Sequence, residues 1–148
     1  SISALITRAA RSFEDNRFQG RRRIIDISGD GPNNRGAYVV HARNRAVADG
    51  ITINGLPIIN DRPDRYGYPP MPDLDLYYEY CVIGGHGSFI VVADGFQDFA
   101  RAILRKFLRE IAGPAPHAPL LRLVSNKIHP PCDAGERRLP PDWMFDFK

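Results

Sequence analysis

Two short apolar runs with one helical pattern between them constrain this chain more than any other feature. Ile24-Ile25-Asp26-Ile27-Ser28 and Ile51-Thr52-Ile53-Asn54-Gly55-Leu56 read as strands, and residues 37–49 read as a helix closed by Gly50 as a C-terminal cap. Strand, helix and strand in that order predict a right-handed parallel crossover. A third strand is predicted over 88–93, through Phe89-Ile90-Val91-Val92. Asp94 then opens a strong helix to about Ala112, with Phe96, Phe99, Ala102, Ile103, Phe107, Leu108 and Ile111 on one face. Strands this continuously apolar are expected to be buried on both faces of the sheet. The fold class is therefore α/β with a thin parallel sheet.

The flanks complete the outline. Ser1 to about Asn16 carries Ile2, Leu5, Ile6, Ala9, Ala10 and Phe13 at helical spacing, with Ser1 or Ser3 as its cap. Arg21-Arg22-Arg23 reads as a solvated strand entry. Residues 60–72 form a long loop rich in Pro, Asp, Arg and Tyr (Tyr66 and Tyr68). Its Asp61, Arg62, Asp64 and Arg65 make either a partner-facing rim or an ordinary polar loop. Beside it a short helix over 74–81 carries Tyr77, Tyr78 and Tyr80. More than half of the 13 Pro fall after Gly113, so residues 1–113 are read as the domain and 114–148 as a Pro-rich tail. The tail is expected to pack locally through Leu120, Leu121, Leu123, Trp143 and Phe145.

Composition removes several classes of function. The 148 residues are 43% hydrophobic and 25% charged, which suits one ordinary globular domain and not a disordered chain. No run approaches the ~18 apolar residues of a membrane span. A net charge of +3 spread along the chain lacks the clustered basic face that nucleic acid requires. Two Cys are too few for a disulfide scaffold or a four-cysteine zinc site. His41, His86, His117 and His129 show no metal-ligand spacing. The opening Ser1-Ile2-Ser3 has no signal-peptide pattern, so a mature or truncated N-terminus is expected.

Chemistry concentrates in Gly29-Asp30-Gly31-Pro32-Asn33-Asn34, at the carboxyl end of the first strand, where open α/β sheets place their ligands. Two readings fit the spacing. Asp30 is a hard oxygen ligand for a Mg²⁺-type ion, in a loop whose glycines let the backbone approach closely. Alternatively, Asp30 and Asn33 cap the following helix. No catalytic residue is assigned: His86, Ser88 and Asp94 lie close in sequence, but no Gly-x-Ser-x-Gly elbow surrounds Ser88.

These strings resemble a known family. Ile24-Ile25-Asp26-Ile27-Ser28-Gly29-Asp30-Gly31-Pro32-Asn33-Asn34, Gly50-Ile51-Thr52-Ile53-Asn54-Gly55-Leu56-Pro57-Ile58, Cys81-Val82-Ile83-Gly84-Gly85 and Phe99-Ala100 to Gly113 are similar to the C-terminal part of a von Willebrand factor A-like domain. The nearest likeness is to a bacterial exported group of such domains with no assigned function. The resemblance runs from Ser1 to about Gly113 and again over Cys132 to Arg137. It implies a Rossmann-like parallel sheet with flanking helices, in a periplasmic or secreted protein. It also implies a metal-ion-dependent adhesion site for Mg²⁺ or Mn²⁺, built from three loops. Asp30 matches the third-loop Asp; the second-loop Thr and the first-loop Asp-x-Ser-x-Ser would lie upstream of Ser1. Ser1 and Ser3 then stand near the metal, with Gly29, Gly31, Asn33 and Asn34 shaping the loop. A lone carboxylate holds Mg²⁺ poorly, so the site is expected to be incomplete in this chain. The strand at Arg23 to Ser28 would also lose its neighbour and present an open edge. The chain is thus expected to need the upstream half of its domain, or a partner chain carrying it. The exported setting implies a Cys81–Cys132 disulfide, against two unpaired thiols. Superfamily members are mostly non-enzymatic and bind protein partners, so a protein-binding module is the first reading. A structural piece with a lost site, or a hydrolase at the same cleft, are the others.

Overall fold

The computed structural model describes residues 1–18, 20–63, 67–112 and 129–138. Asp64, Arg65, Tyr66, His117 and the tail residues Leu120, Leu121, Leu123, Trp143 and Phe145 lie outside them. The described chain is mixed α/β: a three-stranded parallel sheet flanked by helices. Its elements are α1 (Ile2–Asp15), β1 (Arg23–Gly29), α2 (Val39–Ala48), β2 (Ile51–Ile59), α3 (Leu74–Tyr77), β3 (Ala93–Asp94) and α4 (Phe99–Ala112). The sheet order is β1-β2-β3, with Ile25 opposite Ile53 and Ile58 opposite Ala93.

Side-chain alternation sorts the sheet into two faces. Ile25, Ile27, Ile51 and Ile53 pack with Ile2 and Ile6 of α1, Val39 and Ala46 of α2, and Tyr77, Tyr78, Cys81 and Val82. On the other face Leu56 and Ile58 meet Ala93 and Ala102, with Phe99 and Ile103 alongside. β2 is buried along nearly its whole length. β1 alternates instead, because it is the edge strand among the described residues and only Ile25 and Ile27 are buried on it. The expectation of burial on both faces therefore holds for β2 and fails for β1.

Three element boundaries depart from the sequence reading. The third strand shrinks to two residues. Gly55 bonds Phe89 and Val91 through its N–H and carbonyl, and the ladder resumes only at Ile58 and Ile59. Pro57 stands between, on the edge of β2 that faces β3, and proline has no N–H to donate there. The last helix begins at Phe99, not Asp94, after a 3₁₀ turn over Phe96–Asp98. The Tyr-bearing helix runs from Leu74 to Tyr77 and widens into a π turn over Tyr78–Val82. Gly50 does close α2, at φ 75° with its N–H on the Val47 carbonyl.

The face assigned to α4 is corrected in part. Phe99, Ala102 and Ile103 do pack on the sheet, but Phe96, Phe107, Leu108 and Ile111 are exposed, as is Leu104, and Lys106 is buried in their place. Lys106 lies against the sheet because its ammonium meets Asp26 of β1 at 2.5 Å and Glu110 at 2.6 Å, while its aliphatic stem covers apolar surface. Leu5 of α1 is likewise exposed, since α1 turns Ile2 and Ile6 inward.

Gly55 fixes how closely the Tyr78 turn approaches the sheet. A Cβ there would lie 2.9 Å from both Ile83 Cγ2 and Tyr78 Cδ1, and 3.2 Å from Ile90 Cγ2. Gly55→Ala is therefore expected to cost about 1–3 kcal/mol through overpacking, outweighing the entropy a strand gains on losing glycine. Chemical denaturation checks this; equal or greater stability of the variant would refute it.

Candidate functional site

The loop between β1 and α2 starts where the parallel strands end, with Asp30 exposed at its first turn. Three residues on, the chain turns inward and Asn33 is fully buried. Neither Asp30 nor Asn33 caps α2, whose N-cap is Tyr38 with no side-chain bond. Asn33 caps α1 instead. Its Oδ1 accepts from the Ser3 backbone N–H at 2.9 Å, one of the helix N-terminal donors that has no intrahelical partner. Ser1 completes the cap, its Oγ accepting from Ala4 N–H at 3.3 Å. The other half of the amide is equally committed: Nδ2 donates to the Ala37 carbonyl at 3.1 Å and to Glu136 Oε1 at 2.6 Å. The Asn33 backbone N–H donates to the Tyr77 hydroxyl at 3.1 Å.

Burial, opposed by that bond and reinforced by the charges of Glu136 and Asp133, pushes the Tyr77 phenol up to about 12. Tyr78, also fully buried, is pushed higher, first by burial and then by Tyr77 and Asp30. Among the described residues its hydroxyl has no hydrogen-bond partner. It lies beneath the carboxyl end of β1, so close that a Cβ on Gly29 would stand 2.8 Å from it. Gly29 is thus required by close approach, as expected, whereas nothing lies within 4 Å of a Cβ at Gly31. Asn34 is exposed.

Ser1 and Ser3 do not join Asp30. Their hydroxyls meet each other at 2.9 Å, and Ser1 Oγ also lies 3.1 Å from Asn33 Oδ1 and 2.5 Å from the Arg35 carbonyl. Among the described residues no group of three or more His, Cys, Asp or Glu could hold a metal ion. One exposed carboxylate and two serines committed elsewhere do not furnish the near-octahedral shell that Mg²⁺ demands. This chain's described residues therefore do not fit the ion by themselves.

Glu136 reaches Asn33 because Cys132 is bonded to the buried Cys81, with the two Cα atoms 5.3 Å apart. The disulfide accords with an oxidising compartment outside the cytoplasm. Between α1 and this tethered segment runs a groove of about 1020 Å³, lined by Ser3, Thr7, Arg8, Tyr38, Asp133 and Glu136. Glu136 and Tyr77 were not read from the sequence as site residues. The one available signal was position: Glu136 follows Cys132 by four residues, so pairing Cys132 with Cys81 carries it to the core. Among the described residues no helix is long and apolar enough to cross a membrane.

The three-stranded parallel sheet and its two flanking layers make a mixed α/β protein of generic Rossmann-like arrangement. Residues 1–115 match the family described as "Protein of unknown function (DUF1194)", and the chain belongs to that family. No curated protein and no solved structure matches it.

Proposed function

We propose that this chain is the C-terminal part of a von Willebrand factor A-like domain acting as a non-enzymatic protein-binding module outside the cytoplasm. The observation that carries the reading is Asp30, exposed at the carboxyl end of the strand that forms the edge of the sheet among the described residues. Asp30 supplies one carboxylate ligand to Mg²⁺ or Mn²⁺. The remaining ligands come from the upstream half of the same domain, which also pairs with β1. The exposed Leu104, Phe107, Leu108 and Ile111 of α4 support a large apolar contact with that half or with a partner. The disulfide supports a periplasmic or secreted setting.

Calorimetric titration with Mg²⁺ and Mn²⁺ tests the metal part, on this chain alone and on a version extended upstream. The expected result is binding only in the extended form, abolished by Asp30→Ala. No binding in either form would remove the ion from the proposal.

A further inference from the structure

Residues 129–138 touch the domain at a few separated points. The His129 ring stacks on Tyr80 with centroids 4.7 Å apart, and Cys132 is bonded to Cys81. Gly135 is buried so tightly on the Asp30 loop that a Cβ would overlap the Asn33 carbonyl oxygen. Glu136 then takes the Asn33 amide hydrogen, while its second oxygen is buried without a partner among the described residues. The segment ends in a single 3₁₀ turn, Glu136–Arg138, and its remaining ion pair, Asp133 to Arg137, is internal. Only Cys132 and Ala134 join the apolar core from it, and both are partly buried. So short a piece loses much backbone freedom on docking and gains few contacts in return. The disulfide is the covalent tie among these contacts.

We infer that residues 131–138 form a redox-released latch on the Asp30 loop. In the oxidised protein the latch closes one wall of the α1 groove and completes the bonding of Asn33. A thiolate of a dithiol reductant attacks Cys132 Sγ, the more accessible sulfur, since Cys81 is fully buried. Cys81 leaves as thiolate and takes a proton. The reductant's second thiol then displaces Cys132 as a thiol and closes the reductant's own disulfide, so two electrons pass to the cystine. The freed segment withdraws Gly135 and Glu136, and Asn33 Nδ2 loses the shorter of its two acceptors. Only the consequence for partner binding rests on the proposed function; the latch itself does not.

Amide hydrogen exchange on the whole chain tests it, with no metal or partner present, so a failure of the metal reading leaves the result interpretable. The reporters are the N–H groups of Asn33 and Ser3, which donate to Tyr77 and to Asn33 itself. Dithiothreitol, or Cys132→Ser without reductant, is expected to speed exchange at both by about tenfold or more, with the Ile53 N–H, bonded to the Gly84 carbonyl, unchanged. Oxidised Glu136→Gln keeps the tether and an acceptor oxygen and is expected to retain protection. Unchanged exchange at Asn33 and Ser3 on reduction overturns the latch. Equal acceleration at Ile53 overturns it too, because the disulfide would then be a staple for the whole fold.

Discussion

Asn33→Ala is expected to lower stability by roughly 3–5 kcal/mol, a large loss for one exchange in a loop. The residue is fully buried and every polar group of its side chain is used. Truncation strips the Ser3 N–H of its acceptor at the start of α1 and strips the Ala37 carbonyl and Glu136 Oε1 of a donor. A buried group left unpaired costs about 1–3 kcal/mol; the Ser3 N–H is such a group, and the part-buried Ala37 carbonyl and Glu136 Oε1 add smaller losses to that and to the emptied side-chain volume. Urea titration should show the midpoint falling by about 1 M or more for a slope of ~1–3 kcal/mol/M. Asn33→Asp separates bonding from volume. It keeps the shape and the acceptor for Ser3 but sets an oxygen against Glu136 Oε1, 2.6 Å from the present nitrogen, and against the Ala37 carbonyl. It should be no more stable than the alanine variant. A loss below about 1 kcal/mol in both would mean that water replaces the amide and that Asn33 is not the hub of the loop.

The role of Asn33 shows what the sequence could and could not disclose. Its loop was legible, because glycine, proline and asparagine cluster at the end of an apolar strand. Its partners were not. Ser3 lies 30 residues before it and Glu136 lies 103 after it, distances no local pattern spans. The two parallel strands and the helix between them were readable because hydrophobic period and turn chemistry agree there. The third strand was overread: its apolar run is real, but Pro57 on the neighbouring strand removes the donor that would extend the ladder. The cysteine pair followed from resemblance, and only the folded chain shows that it sets Glu136 on Asn33. For the adhesion-type site the sequence offered Asp30, Ser1 and Ser3 together, whereas the fold gives the serines to the N-terminus of α1 and leaves Asp30 exposed.

Lys106→Ala is the second substitution expected to have a large effect, at roughly 2–4 kcal/mol, less than for a fully buried pair because Asp26 is 43% exposed. Amphipathic patterning placed Phe107, Leu108 and Ile111 on the buried face together with Phe99, Ala102 and Ile103, and only the latter three pack on the sheet. What decides the matter is charge. The Lys106 side chain is 5% exposed and lies between Asp26 and Glu110, and Glu110 also accepts from Asn54 Nδ2 at 3.1 Å. Each member is therefore paired, which is the condition under which buried charge is tolerated. Removing the lysine leaves two carboxylates facing one another across the seam between β1 and α4, together with a cavity where its stem lay. Lys106→Met restores the stem without the charge, so it should recover part of the loss. Adding Asp26→Asn to it should recover more, because the half-exposed Asp26 carboxylate then no longer faces Glu110 without a cation between them. If Lys106→Met were as stable as the parent, the ion pair would contribute nothing and the stem alone would position α4. If it were as unstable as alanine, the charge alone would do so. The distinction bears on function, because the salt bridge to Asp26 is a side-chain tie from α4 to β1, the edge strand among the described residues. It keeps Leu104, Phe107, Leu108 and Ile111 turned away from the sheet, available to whatever covers them.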